Sequence, residues 1–341
     1  MRQKFRVAVL YGGRSGEHEV SLQSAASVIK NLDQDRFEII PALIDKEGRW
    51  QYPEMLRFDG MKPSKALDVV FPVMHGTFCE DGTIQGLLEL ADVPYVGCGV
   101  LASAVGMDKD VTKRLIRDAG LPIVPYLAVK STQWRKEKNE IATKISRELG
   151  FPVFVKPANA GSSVGVHKVK EAGQLSVALN DSFLYDTKVL IEKAIPAREI
   201  ELAVLEHENS GEVPRVSAPG EVVPHHEFYS YEAKYLDENG AALLIPAQLD
   251  PSQTAEAQRI AREAFMALEC EGMARADLFL DKNTGEFYFN EVNTIPGFTS
   301  ISMYPKMWEA SGIPYRDLLT RLIDLAIARH KRKKALKRSY G

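Results

Sequence analysis

Three cysteines in 341 residues are too few, and odd in number, for a disulfide framework. Cys79, Cys98 and Cys270 are scattered, and none sits at metal-ligand spacing, so the expected compartment is the reducing cytosol. No apolar run approaches the length of a membrane span. No signal-peptide architecture opens the chain, which enters a strand pattern directly at KFRVAVLY. A net charge of -3 gives no general attraction to nucleic acid or to an anionic membrane. Two common phosphate fingerprints are also missing. The first glycine-rich loop, GGRSGEHEVS, lacks the GxGxxG spacing, and it has no GK[ST] to make a P-loop. What remains is a soluble globular composition, 45% hydrophobic and 26% charged. The length exceeds one ordinary core and suits two or three domains.

The first third alternates strands and helices. Phe5 to Tyr11, Phe37 to Ile44 and Leu67 to Met74 read as strands. Val20 to Leu32, Ile84 to Leu90 and Lys109 to Ala119 read as helices. That order predicts a parallel sheet flanked by helices. Beyond Gly120 and Pro122 the texture changes. Glu137 to Leu149 and Glu171 to Asn180 have helical patterns. The strands Pro152 to Lys156, Val164 to Val169, Lys188 to Lys193 and Glu199 to Leu205 complete a small α+β unit. Val223 to Tyr235 has no period and is expected to be a functional loop. Gln253 to Leu268 and Ile313 to Arg329 are helices. The tail RHKRKKALKR is expected to be a frayed, solubilising terminus rather than a nucleic-acid patch.

The segment Arg275 to Ser300 carries the most information. Two strands flank the turn Lys282-Asn283-Thr284-Gly285. With Phe279 opposite Phe289, strand alternation places Asp277 opposite Glu291 and Arg275 opposite Asn293. Facing carboxylates repel, and two of them with an amide oxygen suit a hard cation such as Mg²⁺. A solvated face whose charges never converge is the other reading, and the hairpin alone leaves both open. KPANAGSSVGV (Lys156 to Val166) has a lysine at a strand end and a small-residue turn whose N–H groups suit phosphate oxygens. Downstream, EKAIPARE offers acids and backbone groups for an adenine and a ribose, or only surface charge. His75 ends a strand beside a glycine-bearing loop, in the crevice shared with Glu17.

Taken in order, GGRSGEHEVS, HGTFCEDGTIQG, MDK, KPANAGSSVGV, FYSYEAKY, RADLFLD and NEVNTIPGFTS resemble the D-alanine–D-alanine ligases of the ATP-grasp superfamily. The likeness runs from the first strand to Met303. It implies an α/β and α+β protein: a Rossmann-like N-terminal domain followed by a two-domain ATP-grasp fold, placed here at residues 1–122, 123–222 and 223–341. It implies ATP-dependent joining of two D-alanine molecules through an acylphosphate, for peptidoglycan precursor synthesis, in a cytoplasmic homodimer.

By the same resemblance, Asp277, Glu291 and Asn293 hold two Mg²⁺ or Mn²⁺ ions, and Arg275 stabilises the transferring phosphoryl and the tetrahedral intermediate. Lys109, Lys156 and Lys234 contact phosphates beside Ser162 and Ser163. Glu192, Lys193, Ala194, Ile195 and Glu199 read adenine and ribose. Glu17 takes the ammonium of the first D-alanine, with His75 nearby. Ser302, Met303 and Lys234 receive the second, and the N–H of Gly297 supports the oxyanion. Glu17, Ser162 and Tyr235 match a trio that latches the long loop. Cys79 departs from the glycine usual in that family's loop, which bears on loop flexibility and thiol sensitivity. The alternatives are a D-alanine–D-lactate ligase, against which Tyr235 speaks, another ATP-grasp carboxylate-amine ligase, and a nucleotide-binding regulatory or RNA-associated module.

Overall fold

The computed structural model describes residues 4–51, 67–209, 211–224 and 241–337. Most of the expected loop after Val223, with Lys234 and Tyr235, lies outside them. The first unit runs β1 (Phe5–Gly12), α1 (His18–Asn31), β2 (Phe37–Ile44), β3 (Val69–Pro72), α2 (Thr83–Leu90), α3 (Val100–Met107) and α4 (Lys109–Asp118). Its strands form the expected parallel sheet, in the order β2-β1-β3. Val7 to Leu10 are buried on both faces, which explains their unbroken apolar run. Asp108 starts α4 by accepting the N–H groups of Asp110 and Val111, each at 3.1 Å. Helix α3 was not anticipated. VLASAVGM is apolar all round and has no helical period to read.

The second unit contains β4 (Tyr126–Lys130), α5 (Ser131–Lys136), α6 (Lys138–Glu148), β5 (Val153–Pro157), β6 (His167–Val169), α7 (Ala172–Ser182) and β7 (Lys188–Lys193). The sheet order is β4-β7-β5-β6, antiparallel throughout. Val153, Val155, Val189 and Ile191 face Ile145, Leu175 and Leu179 of the helices. Alternation turns Lys156 and Glu192 to the opposite face, toward the cleft described below.

The third unit comprises β8 (Ala197–Leu205), β9 (Arg215–Val216), β10 (Gly220–Pro224), β11 (Ala241–Leu244), α8 (Pro251–Ala267), β12 (Met273–Asp281), β13 (Phe287–Asn293), α9 (Met303–Ala310) and α10 (Tyr315–Lys334). Its sheet order is β11-β10-β8-β12-β13, with β9 on β8. The strand expected to complete the small central unit belongs here instead. β8 pairs with β12 from Met273↔Leu205 to Asp281↔Ala197, so sheet membership changes near residue 196. Ile200, Leu202 and Val204 share a core with Ile260, Ala264 and Phe265 of α8. That burial is what draws β8 into this sheet.

The described part of the basic tail, to residue 337, is not frayed. Helix α10 continues to Lys334, and its cations find acids on the first unit and on β8's end. Lys333 meets Glu89 at 2.8 Å, Lys334 meets Asp92 at 2.7 Å and Arg332 meets Glu206 at 3.1 Å. Arg329 is buried over the Tyr95 ring and donates to the carbonyls of Tyr95 and Gly97. Cations in the last turn also suit the helix dipole.

Candidate active site

Residues from all three units line one cleft of about 1470 Å³. Every described candidate binding or catalytic residue reaches it. The first unit supplies Glu17, His75 and Lys109. The second supplies Lys156, Ser162, Ser163 and the run Glu192, Lys193, Ala194, Ile195. The third supplies Glu199, Arg275, Asp277, Glu291 and Asn293, then Gly297, Ser302 and Met303.

The hairpin pairs Arg275 with Asn293 and Asp277 with Glu291, as expected. The aromatic part of the expected register is wrong. A bulge after Asp277 sets Leu278 opposite Phe289 and Phe279 opposite Tyr288, leaving Asn290 as the extra residue. The bulge lets one strand serve two faces. Phe287 and Phe289 enter the core with Leu278 and Leu280, whereas Asn290, Glu291 and Asn293 line the cleft. Without it, Phe289 and Glu291 would share a face.

Around the hairpin, Arg275 grips Asp277 with two bonds of 2.7 Å, and its Nε lies 3.0 Å from Glu201. The Asn293 amide donates to Asp277 at 2.9 Å, and Lys109 lies 3.4 Å from Glu291. No group of three or more His, Cys, Asp or Glu able to hold a metal occurs among the described residues. Two carboxylates with one amide oxygen nevertheless fit a magnesium ion whose other ligands are phosphate oxygens and water. The donor set therefore suits a metal–nucleotide complex.

At the end of the cleft formed by the second unit, Glu192 is not an open carboxylate. Lys113 Nζ lies 2.9 Å from one oxygen and Lys156 Nζ 2.5 Å from the other. Burial presses the pKa of Lys113 down, and Glu192 partly opposes that. Burial alone would raise Glu192, but the two ammonium groups together bring it below the usual carboxylate value. Backbone groups remain for a base. The N–H groups of Lys193 and Ala194 already bond Pro125 and Pro152, each at 3.0 Å, while that of Ile195 makes no such bond among the described residues. Ser162 and Ser163 both take left-handed φ, 51° and 59°, a strained pair that aims the loop at the cleft.

At the other end, Glu17 stands at the N-terminus of α1 without a side-chain capping bond, and its carboxylate accepts from Ser162 Oγ at 2.5 Å. A Cβ at Gly76 would stand 2.7 Å from the Glu17 carboxylate, so that loop needs glycine there. His75 is buried, which lowers its pKa and keeps it neutral despite nearby Glu17. Its ring nitrogens meet the Ile295 carbonyl at 3.1 Å and Ser24 Oγ at 3.2 Å, tying it to the segment leading into Gly297. Ser302 starts α9, and its hydroxyl would lie 2.7 Å from a Cβ at Gly297, so a side chain there would displace that hydroxyl. Cys79 is fully buried, and burial raises its thiol pKa, so it is a poor target for thiol reagents. The strained φ of 70° in that loop falls on Phe78, so Cys79 needs no glycine-like freedom.

Three charged residues were missed: Glu80 and Glu201, which line the cleft, and Lys113, buried behind Glu192. Lys113 stands one helical turn from Lys109, and Glu201 follows Glu199 on the same strand face, so both were within reach of periodicity. Glu80 accepts from Gly76 N at 2.8 Å. Desolvation, reinforced by Glu17, pushes its pKa up to about 8. Folding thus favours protonated Glu80, a contribution complete below the unfolded pKa and lost as pH rises through about 8. Glu80→Gln should stay neutral and remove that part of the alkaline stability loss. Thermal melts from about pH 6 to about pH 9 test this. A difference from wild type that is constant across the series would contradict the assignment.

A family model described as "D-ala D-ala ligase C-terminus" matches residues 115–324, and one described as "D-ala D-ala ligase N-terminus" matches residues 6–62 and 54–98. The chain is 53% identical to a D-alanine–D-alanine ligase A of Bradyrhizobium diazoefficiens, over 100% of both chains. Among solved structures it is similar to the D-alanine-D-alanine ligase from Coxiella burnetii. That match has a TM-score of 0.85 and 39% identity, covering 97% of this chain and 96% of that one. It is also similar to the VanG D-Ala:D-Ser ligase from Enterococcus faecalis, with a TM-score of 0.84 and 35% identity, covering 95% and 100%.

Proposed function

The chain belongs to the D-alanine–D-alanine ligase family, and on that premise we propose that it joins two D-alanine molecules with consumption of ATP, releasing D-alanyl-D-alanine, ADP and phosphate for peptidoglycan precursor synthesis. The observation that carries this reading is the 2.5 Å bond between Ser162 and Glu17. It joins the nucleotide loop to an acid suited to an amino group, which a mere nucleotide-binding module does not need.

A free carboxylate resists attack by an amine. Phosphorylation by ATP makes it an acylphosphate, which the second D-alanine's amino group then opens. Glu17 holds the first ammonium. Lys109 and Lys156 contact the phosphates, with Lys156 leaving Glu192 to do so, and Ile195 and Glu199 read base and ribose. Asp277, Glu291 and Asn293 hold the divalent ions, whose chemistry is to neutralise charge on the terminal phosphates. Arg275 presents a planar fork to the transferring phosphoryl. Gly297 donates its N–H to the oxyanion, and Ser302, at the N-terminus of α9, receives the second carboxylate. Lys234 and Tyr235, outside the described residues, complete the carboxylate site and the latch. The proposal includes a homodimer in the cytoplasm. No described helix is long and apolar enough to cross a membrane.

A coupled ADP-release assay with D-alanine, L-alanine or no amino acid tests the reading, with product analysis against D-lactate and D-serine. ADP release should require D-alanine and yield the D-alanine dipeptide. Release independent of amino acid, or depsipeptide as the main product near neutral pH, would overturn it.

A further inference from the structure

Glu201 belongs to no role assigned above. It lies on β8 directly across from Asp277, while Glu291 lies across from Asp277 on the other side. Three carboxylates therefore form a row over three neighbouring strands. At the usual strand spacing, Glu201 and Glu291 stand roughly 9–10 Å apart at the backbone. A cation between Asp277 and Glu291 is thus beyond easy reach of Glu201. What Glu201 does touch is Arg275, at 3.0 Å, from a buried position.

That contact matters because Arg275 and a metal ion compete for the same atoms. Arg275 Nε and a terminal guanidinium nitrogen bond the two carboxylate oxygens of Asp277, each at 2.7 Å. For Asp277 to ligate a cation, this fork has to open. A guanidinium released into a half-buried site with no other anion would return to Asp277. With Glu201 beside it, the same guanidinium keeps a charged partner throughout.

We propose that Glu201 is a positioning residue that retains Arg275 when Asp277 turns to the divalent ion, and so sets how tightly that ion binds. The inference rests on the assignment of Asp277 and Glu291 as metal ligands. It adds a third carboxylate that acts through the arginine and not on the metal.

The test is Mn²⁺ binding in the presence of ADP, followed by the paramagnetic signal of the free ion, which requires no turnover. Glu201→Gln should weaken Mn²⁺ binding about tenfold or more, the usual cost of losing a partner just outside the ligands. Glu201→Asp, which keeps the charge, should retain most of the affinity, separating charge from packing. In an Arg275→Met background the Glu201→Gln change should alter affinity by less than about twofold, because the competitor is gone. Equal weakening in both backgrounds would overturn the proposal, since Glu201 would then act directly. Weakening by Asp277→Asn but not by Glu201→Gln would overturn it while leaving the metal assignment standing. If neither variant weakened Mn²⁺ binding, the metal assignment and this inference would fall together.

Discussion

Glu291→Gln and Arg275→Ala are each expected to lower turnover by roughly two orders of magnitude or more, the scale of removing one transition-state contact. The fold should survive both changes. Glu291 is half-buried at a cleft edge, and its mutation leaves the paired backbone of β12 and β13 untouched. Glutamine keeps the size of the side chain but removes the charge that, with Asp277, gives the hairpin its affinity for a divalent ion. Arg275 differs. It neutralises Asp277 and Glu201. Its removal therefore lets the acids repel, and metal binding should tighten even as turnover falls. Steady-state kinetics with D-alanine, together with far-ultraviolet circular dichroism, check both. Normal turnover in either variant would contradict the roles given.

Lys113→Met should be among the most destabilising single changes at the cleft. The side chain of Lys113 is 0% exposed and that of Glu192 4%. Removing one member of a buried pair leaves the other charged without its partner, which costs about 3–5 kcal/mol. Lys156 limits the damage, but only by remaining at Glu192. It could then no longer serve a phosphate, so the KM for ATP should rise more than that for D-alanine. Urea unfolding measures the first effect and initial rates the second. Glu192→Gln added to Lys113→Met should recover part of the lost stability, because it removes the stranded charge. A Lys113→Met protein as stable as wild type would show that the ammonium is not a counter-charge. The same pair affects acid stability. Glu192 has a lowered folded pKa, so its contribution is present above the unfolded value and lost as pH falls through the folded one.

The chemistry-bearing parts of this chain were the more legible because strands alternate strictly. Asp277 opposite Glu291 and Arg275 opposite Asn293 followed from counting along two strands. The bulge at Asn290 did not, because an extra residue in a strand changes hydrogen bonding without leaving a compositional mark. The parallel first sheet was legible from element order. The membership of β8 was not. Its apolar face fits either neighbouring sheet, and only the packing of α8 decides. The basic tail misled for a related reason. A run of cations looks solvated in sequence, and Glu89, Asp92 and Glu206, which hold it, lie more than a hundred residues away. Ser162 and Glu17 likewise met through the fold, and it was their likeness to a known trio that flagged them.

The central claim is that the oxygens of Asp277, Glu291 and Asn293 hold divalent ions against a nucleotide's terminal phosphates. Its most direct test is a crystal structure with Mn²⁺ and a non-hydrolysable ATP analogue, the ions located by their anomalous signal. We expect a peak within about 2.0–2.3 Å of oxygens from these three side chains and of the phosphates, with Arg275 moved off Asp277 toward Glu201. A triphosphate bound elsewhere, or a peak ligated by none of the three, would contradict the account.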